Sequence, residues 1–231
     1  MKKQFILIAA LCALAALPGC NNRNDVRSVA HEQAGELKAM QQSYRGVLPC
    51  ADCSGIETTL FLEKDGTWVM NERYQGGKAD SAFASYGRWA RTADRLVLTG
   101  ADGEKRYFRP KGDDLEMLDR EGHPIESTFD YTLKAVDAGL PATPMVMKGM
   151  YRYMADAAVF TDCVTGKRTG VTNNAQLERG YAQARGEAGA PVLLIVKAHF
   201  AIDANEDTGA PEKTLVVDEH GTFTAGKGCD D

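Results

Sequence analysis

The sequence carries six cysteines, and two of them, in Cys50-Ala51-Asp52-Cys53, stand at the spacing used by thiol redox catalysts and by soft-metal sites. A redox CxxC needs its first cysteine at a helix N-terminus, where the macrodipole stabilises the thiolate. Here Pro49 precedes the motif, Ser54-Gly55 follows it, and the chain then alternates as a strand, so catalytic thiol exchange is disfavoured. As a metal pair, two thiolates suit Cu(I) or Zn²⁺. Structural zinc wants four ligands, however, and no second CxxC or close His pair is present. Met145, Met147, Met150 and Met154 fall in one short stretch and His123 is a further soft donor. The simpler expectation is that the methionines fill gaps in a core. Copper at Cys50 and Cys53 stays open, and oxidation to a disulfide would silence it. None of the four histidines, His31, His123, His199 and His220, lies beside a nucleophile motif, and the acidic pairs Asp113-Asp114 and Glu206-Asp207 sit at turns, so no enzyme is expected.

Cys20 has a different chemistry. It closes Leu17-Pro18-Gly19-Cys20 behind Lys2, Lys3 and an apolar run, Phe5 to Leu17, that is too short to span a bilayer. Residues 1–19 read as a lipoprotein signal peptide that takes Cys12 away with it. Cys20 then becomes a mature N-terminus carrying several acyl chains of the palmitate type. One chain alone binds a membrane only marginally and several make attachment effectively permanent. The run resembles the bacterial lipobox, and in that pattern Asn21, where an Asp would favour inner-membrane retention, implies the outer membrane.

About 210 residues remain, room for one large domain or two small ones. Apolar content of 44%, charged content of 26% and a net charge of −5 describe a globular chain with no basic footprint for nucleic acid. Residues 20–43 are polar and read as a lipidated spacer. From Tyr44 to Val136 the pattern has period two: Ile56, Thr58, Leu60 and Leu62 share one strand face, and Trp68, Met70 and Tyr74 another. Turn residues at Asp65-Gly66, Gly76-Gly77, Ala93-Asp94, Asp102-Gly103, Gly112-Asp113 and Glu121-Gly122 separate further strands at 83–89, 95–99, 105–108, 115–118 and 127–133. Roughly eight short strands joined in order predict an up-and-down antiparallel β-barrel whose interior is filled by side chains or admits a modest ligand. Residues 137–146, with Pro141 and Pro144, read as a linker.

From 147 to 231 the order changes to strands at 150–154, 157–161 and 169–171, a helix capped by Asn173 or Asn174 and running to about Arg185, and strands at 191–202, 213–218 and 222–225. Leu177, Tyr181 and Ala184 mark the buried face of that helix. The pattern suits an OB-fold-like domain, so the whole is mainly β with one helix. Four cysteines survive in an oxidising compartment, where three pairings are possible, and the two-domain division selects Cys50–Cys53 and Cys163–Cys229. The second bond closes a loop of about 67 residues, worth roughly 4 kcal/mol in the chain-entropy model.

The run from Tyr44 to Glu57, then Phe61 to Trp68, Phe83-Ala84-Ser85-Tyr86-Gly87, Glu116 to Gly122, Tyr153 to Ala158 and Phe160-Thr161-Asp162-Cys163 resembles the NlpE (CutF) lipoprotein family over both domains and the lipobox. That resemblance implies an outer-membrane lipoprotein facing the periplasm, with a lipocalin-like N-terminal barrel and a C-terminal OB fold. It further implies activation of the Cpx two-component envelope stress response through the periplasmic sensor domain of the CpxA kinase, and dependence on the periplasmic disulfide-forming machinery. Roles in surface sensing, cell adhesion and copper tolerance are implied as well. Cys20, Cys50, Cys53, Cys163 and Cys229 fall at the family's cysteine positions.

Overall fold

The computed structural model describes residues 41–76, 82–205 and 208–231. The signal segment, Cys20, His31, the spacer as far as residue 40, Gly77 and the Glu206-Asp207 pair lie outside the described residues.

Eight strands, β1 (Gln41–Leu48), β2 (Gly55–Glu63), β3 (Thr67–Gln75), β4 (Ala82–Arg91), β5 (Leu96–Gly100), β6 (Lys105–Lys111), β7 (Asp114–Met117) and β8 (Thr132–Val136), pair in chain order into a closed antiparallel barrel. β1 starts ahead of the expected Tyr44. Ser43 is buried where β1 meets β8, and its hydroxyl donates to the Val136 carbonyl at 2.7 Å and accepts the Ala138 N–H at 3.0 Å. The last strand was expected over 127–133 and lies at 132–136. Ser127 and Asp130 accept the N–H groups of Phe129 and Thr132 instead, local turns that compete with the ladder. Tyr44, Leu60, Leu62, Trp68, Met70, Leu96, Leu98, Phe108, Leu115 and Leu133 form one buried cluster. They point inward by alternation and pack the barrel interior, leaving a side cavity that reaches Trp68 and Leu98.

The second domain comprises β9 (Met145–Met154), β10 (Ala157–Asp162), β11 (Arg168–Thr172), α1 (Ala175–Ala184), β12 (Val192–Ala204), β13 (Pro211–Val217) and β14 (Thr222–Thr224). β9, β10 and β11 form an antiparallel meander, and β13 closes it by pairing parallel to β11 and antiparallel to the far half of β12. β9 begins at Met145, inside the stretch read as linker, because Met145 and Met147 are buried in the core. Leu177 and Tyr181 of α1 are buried as the helical period requires, and Tyr181 and Phe223 pack edge-on against Tyr151 at 5.3 and 5.5 Å between centroids. Asn174 holds the N-cap position but makes no capping bond. Its amide donates to the Tyr151 hydroxyl at 3.2 Å, and that of Asn173 to the Val217 carbonyl at 2.8 Å.

The C-terminal core extends beyond its own domain. Phe61, Val69 and Tyr86, facing outward from β2, β3 and β4 in one register row, are buried in the same cluster as Met147, Phe160 and Phe200. The OB-type domain therefore covers one outer face of the lipocalin-like barrel.

Candidate functional site

Cys50 and Cys53 lie in the turn between β1 and β2 and are joined by a disulfide, with Cα atoms 5.3 Å apart. The turn is held to the barrel by the Ser54 N–H, which donates to the Gln75 carbonyl at 3.0 Å. Ala51 and Asp52 between the cysteines are exposed. Strands flank the motif on both sides, so no helix dipole acts on either sulfur. In this bonded form the pair offers no thiolate to a metal, and it does not fit copper. Of the four methionines Met145 and Met147 are core residues, Met150 is half-buried and Met154 is exposed, so only the first two fill a core, and His123 stands exposed 3.8 Å from Asp119. Among the described residues no three His, Cys, Asp or Glu side chains converge as a metal cluster.

The Cys163–Cys229 disulfide ties the end of β10 to the chain terminus, again with Cα atoms 5.3 Å apart. Lys148 of β9 reinforces the tie. Its carbonyl accepts the Cys163 N–H at 2.9 Å, and its ammonium donates to the carbonyls of Cys229 and Asp231 at 3.1 and 2.8 Å.

Beside Cys163 stands Asp162, a buried carboxylate that does two jobs. One oxygen accepts from the Thr165 N–H and hydroxyl at 2.6 and 2.7 Å, shaping the turn after β10. The other accepts the Tyr86 hydroxyl of the barrel at 2.7 Å. Burial pushes the Tyr86 phenol far above its ordinary range, and the Asp162 charge beside it adds to the shift. The phenol is thus a permanent donor.

A second clasp lies across the Phe200 ring that Tyr86 meets edge-on. The Lys213 ammonium of β13 reaches Glu63 at 2.6 Å, Asp65 at 3.0 Å and the Thr67 hydroxyl at 3.2 Å, all on the barrel, and sits 4.9 Å from the centre of the Phe200 ring. Burial raises the Glu63 carboxyl above its usual value even though Lys213 pulls it down. Its second oxygen, Oε1, is buried without a partner. Burial also pushes Asp65 upward, but hydrogen bonds from Thr67 and the Lys213 charge outweigh it and hold that carboxyl below the ordinary range. Thr143, between the domains, donates to Asn71 at 2.8 Å.

The structure thus places the two cysteine pairs in different domains. It also assigns the interface to Glu63, Tyr86, Asp162 and Lys213, which sequence reasoning gave no role. The one signal was Asp162 standing next to Cys163 in a chain whose apolar residues flank it. The contact from Lys213 to Glu63 joins residues 150 positions apart and has no local signature.

The chain is similar to known proteins along nearly its whole length. The NlpE N-terminal domain model matches residues 44–128 and the NlpE C-terminal OB domain model residues 141–230. Lipoprotein NlpE of Escherichia coli strain K12 is 61% identical over 230 residues, covering 99% of this chain and 98% of its own length. A 17 kDa lipoprotein of Treponema pallidum is 27% identical over 147 residues, covering 60% of this chain and 90% of its own. The crystal structure of the Cpx pathway activator NlpE from Escherichia coli is 63% identical and covers 82% of this chain and 98% of that one, with a TM-score of 0.41. With a barrel followed by an OB domain, both matched by the family's models, and a full-length relative at this identity, the chain belongs to the NlpE lipoprotein family.

Proposed function

We propose that this protein is an outer-membrane lipoprotein, anchored through Cys20 and facing the periplasm, that activates the Cpx response by contact with the sensor domain of CpxA, with no catalytic step of its own. The observation that carries the reading is the path from the C-terminal disulfide to the barrel. Cys163–Cys229 holds the segment bearing Asp162, and Asp162 accepts the Tyr86 hydroxyl at the interface. Loss of a cross-link worth roughly 4 kcal/mol is comparable to the stability of a small domain, so failed oxidation loosens the OB domain and its hold on the barrel's outer face. Signalling is then a population shift biased by a redox bond.

Cys229→Ala at matched protein level is expected to raise Cpx reporter output and expose the C-terminal domain to limited proteolysis while the barrel core stays resistant. Unchanged output with an intact C-terminal domain refutes it. Cys20→Ala is expected to leave the outer-membrane fraction, and normal fractionation refutes the anchor. Copper buffering is a second reading, favoured by the accessible position of Cys50 and Cys53 in the β1–β2 turn. Reduction would present two soft thiolates there. Stoichiometric Cu(I) uptake by the reduced protein that is lost in Cys50→Ser supports it, and equal uptake by both refutes it.

A further inference from the structure

β4 is paired on both sides over only part of its length. Its residues from Ala82 to Arg88 pair with β3, whereas pairing with β5 begins at Gly87, opposite Gly100, because the β5–β6 hairpin turns away there. Among the described residues, the first half of β4, Ala82 to Tyr86, therefore has no strand paired on its other side. Which backbone groups face it follows from alternation. The Trp89 N–H donates to the Gly66 carbonyl on the β3 side at 2.9 Å, and the β3–β4 register runs without a bulge. Residues at odd numbers thus bond toward β3, and Ala82, Ala84 and Tyr86 present N–H and C=O groups to the open side. No described strand pairs there.

The edge carries none of the local devices that block pairing, although Met145 and Val146 of β9 pack beside it on the outer side. Exposed edges are ordinarily blunted by lysine, proline or a bulge, and Ala82-Phe83-Ala84-Ser85-Tyr86 has none of these. Beside it lies a cavity of about 360 Å³. Its walls come from both faces of the barrel wall: Trp68, Leu98 and Arg106 from the inner side, Met145 and Val146 from the outer. A cavity bounded in this way occupies the place in the wall where the next strand would run, about 4.8 Å from β4.

We propose that this slot binds an extended segment of a partner protein, which adds to the free edge of β4 as a strand. The segment alternates apolar and basic side chains. Apolar ones enter the cavity against Trp68 and Leu98, and exposed Val146 flanks the outer side. Basic ones meet the exposed carboxylates of Asp102 and Glu104 at the β5–β6 turn. Arg106 does not oppose them, because Glu72 pairs with it at 2.7 Å. Main-chain bonds provide affinity in strand addition, and alternate side-chain sites provide selectivity. The proposal does not depend on the redox reading, since Ala82, Ala84 and Tyr86 keep their free backbone side whichever state Cys163 and Cys229 adopt.

The test uses the full chain in detergent micelles and the blocked peptide Lys-Val-Lys-Val-Lys-Val-Lys, with binding read by tryptophan fluorescence, since Trp68 lines the slot. Saturable binding is expected, with affinity at least tenfold lower for the Glu-for-Lys counterpart. N-methylation of alternate peptide amides should abolish binding in one of the two possible patterns and spare it in the other. Ala84→Pro removes an N–H on the open side while leaving the β3 ladder, and should lower affinity at least tenfold. No saturation, equal affinity for both peptides, or equal tolerance of both methylation patterns overturns the proposal. So does concentration-dependent dimerisation that Ala84→Pro abolishes, because it would put a second copy of the chain on the edge.

Discussion

Replacing Lys213 by Met tests how the interface is held. The substitution keeps the alkyl packing against Phe200 and removes the cation from a site where the Lys213 and Glu63 side chains are only 16% and 9% exposed. Glu63 already has one oxygen without a partner, and it would lose its bond at the other. Breaking a buried pair from one side typically costs 3–5 kcal/mol, and Asp65 keeps its Thr67 bonds, so about 3 kcal/mol is expected at neutral pH. Glu63→Gln should cost no more than about 1 kcal/mol, because Lys213 retains Asp65 and Thr67 and no buried charge is stranded. The pH dependence follows from the raised Glu63 carboxyl. A group whose folded pKa lies above its unfolded value contributes stability below the unfolded value, and that contribution is lost as pH rises through the folded one. Removing Lys213 takes away a charge that lowers this pKa, so the Lys213→Met defect should shrink on acidification from neutrality as Glu63 takes a proton. Urea unfolding followed by tryptophan fluorescence, with limited proteolysis at each pH, measures both effects. Equal costs for the two variants, or a Lys213→Met defect that grows on acidification toward the ordinary carboxyl range, would refute the reasoning.

Tyr86→Phe removes the hydroxyl that Asp162 accepts at the interface and should destabilise the C-terminal domain by about 2 kcal/mol, read as faster proteolysis after residue 140 with the barrel intact. At Gly149 an added Cβ would overlap the Phe160 ring and lie 2.6 Å from the Thr161 carbonyl oxygen. Gly149→Ala should therefore cost about 3 kcal/mol or prevent folding of that domain, as far-UV circular dichroism and denaturation will show. The turn between β9 and β10 places Ala155 and Asp156 at φ 50° and 61°, the left-handed pair of a type I′ hairpin. Ala155→Asn with Asp156→Gly should raise stability by about 1 kcal/mol, and a fall in midpoint would contradict the strain.

Strand count and turn positions were legible because alternation and turn chemistry are local. Leu60 and Leu62 on one face with Trp68 and Met70 opposite can close on themselves through a hairpin with no information from elsewhere. The cysteine pairs were legible for a related reason, since each lies within one predicted domain. Local pattern also misled at 127–133, where hydroxyl and carboxylate turns replaced the ladder, and at Asn174, whose side chain bonds Tyr151 rather than the helix start.

What tertiary structure alone decided is the destination of the outward faces. Leu60-Phe61-Leu62 is apolar at successive positions, which shows that both faces of β2 are buried, but not what covers the second. The cover comes from Phe200 and Lys213, far along the chain, and from the parallel pairing of β11 with β13. Burial, the raised Glu63 carboxyl and the free edge of β4 depend on distances between segments that no local periodicity encodes.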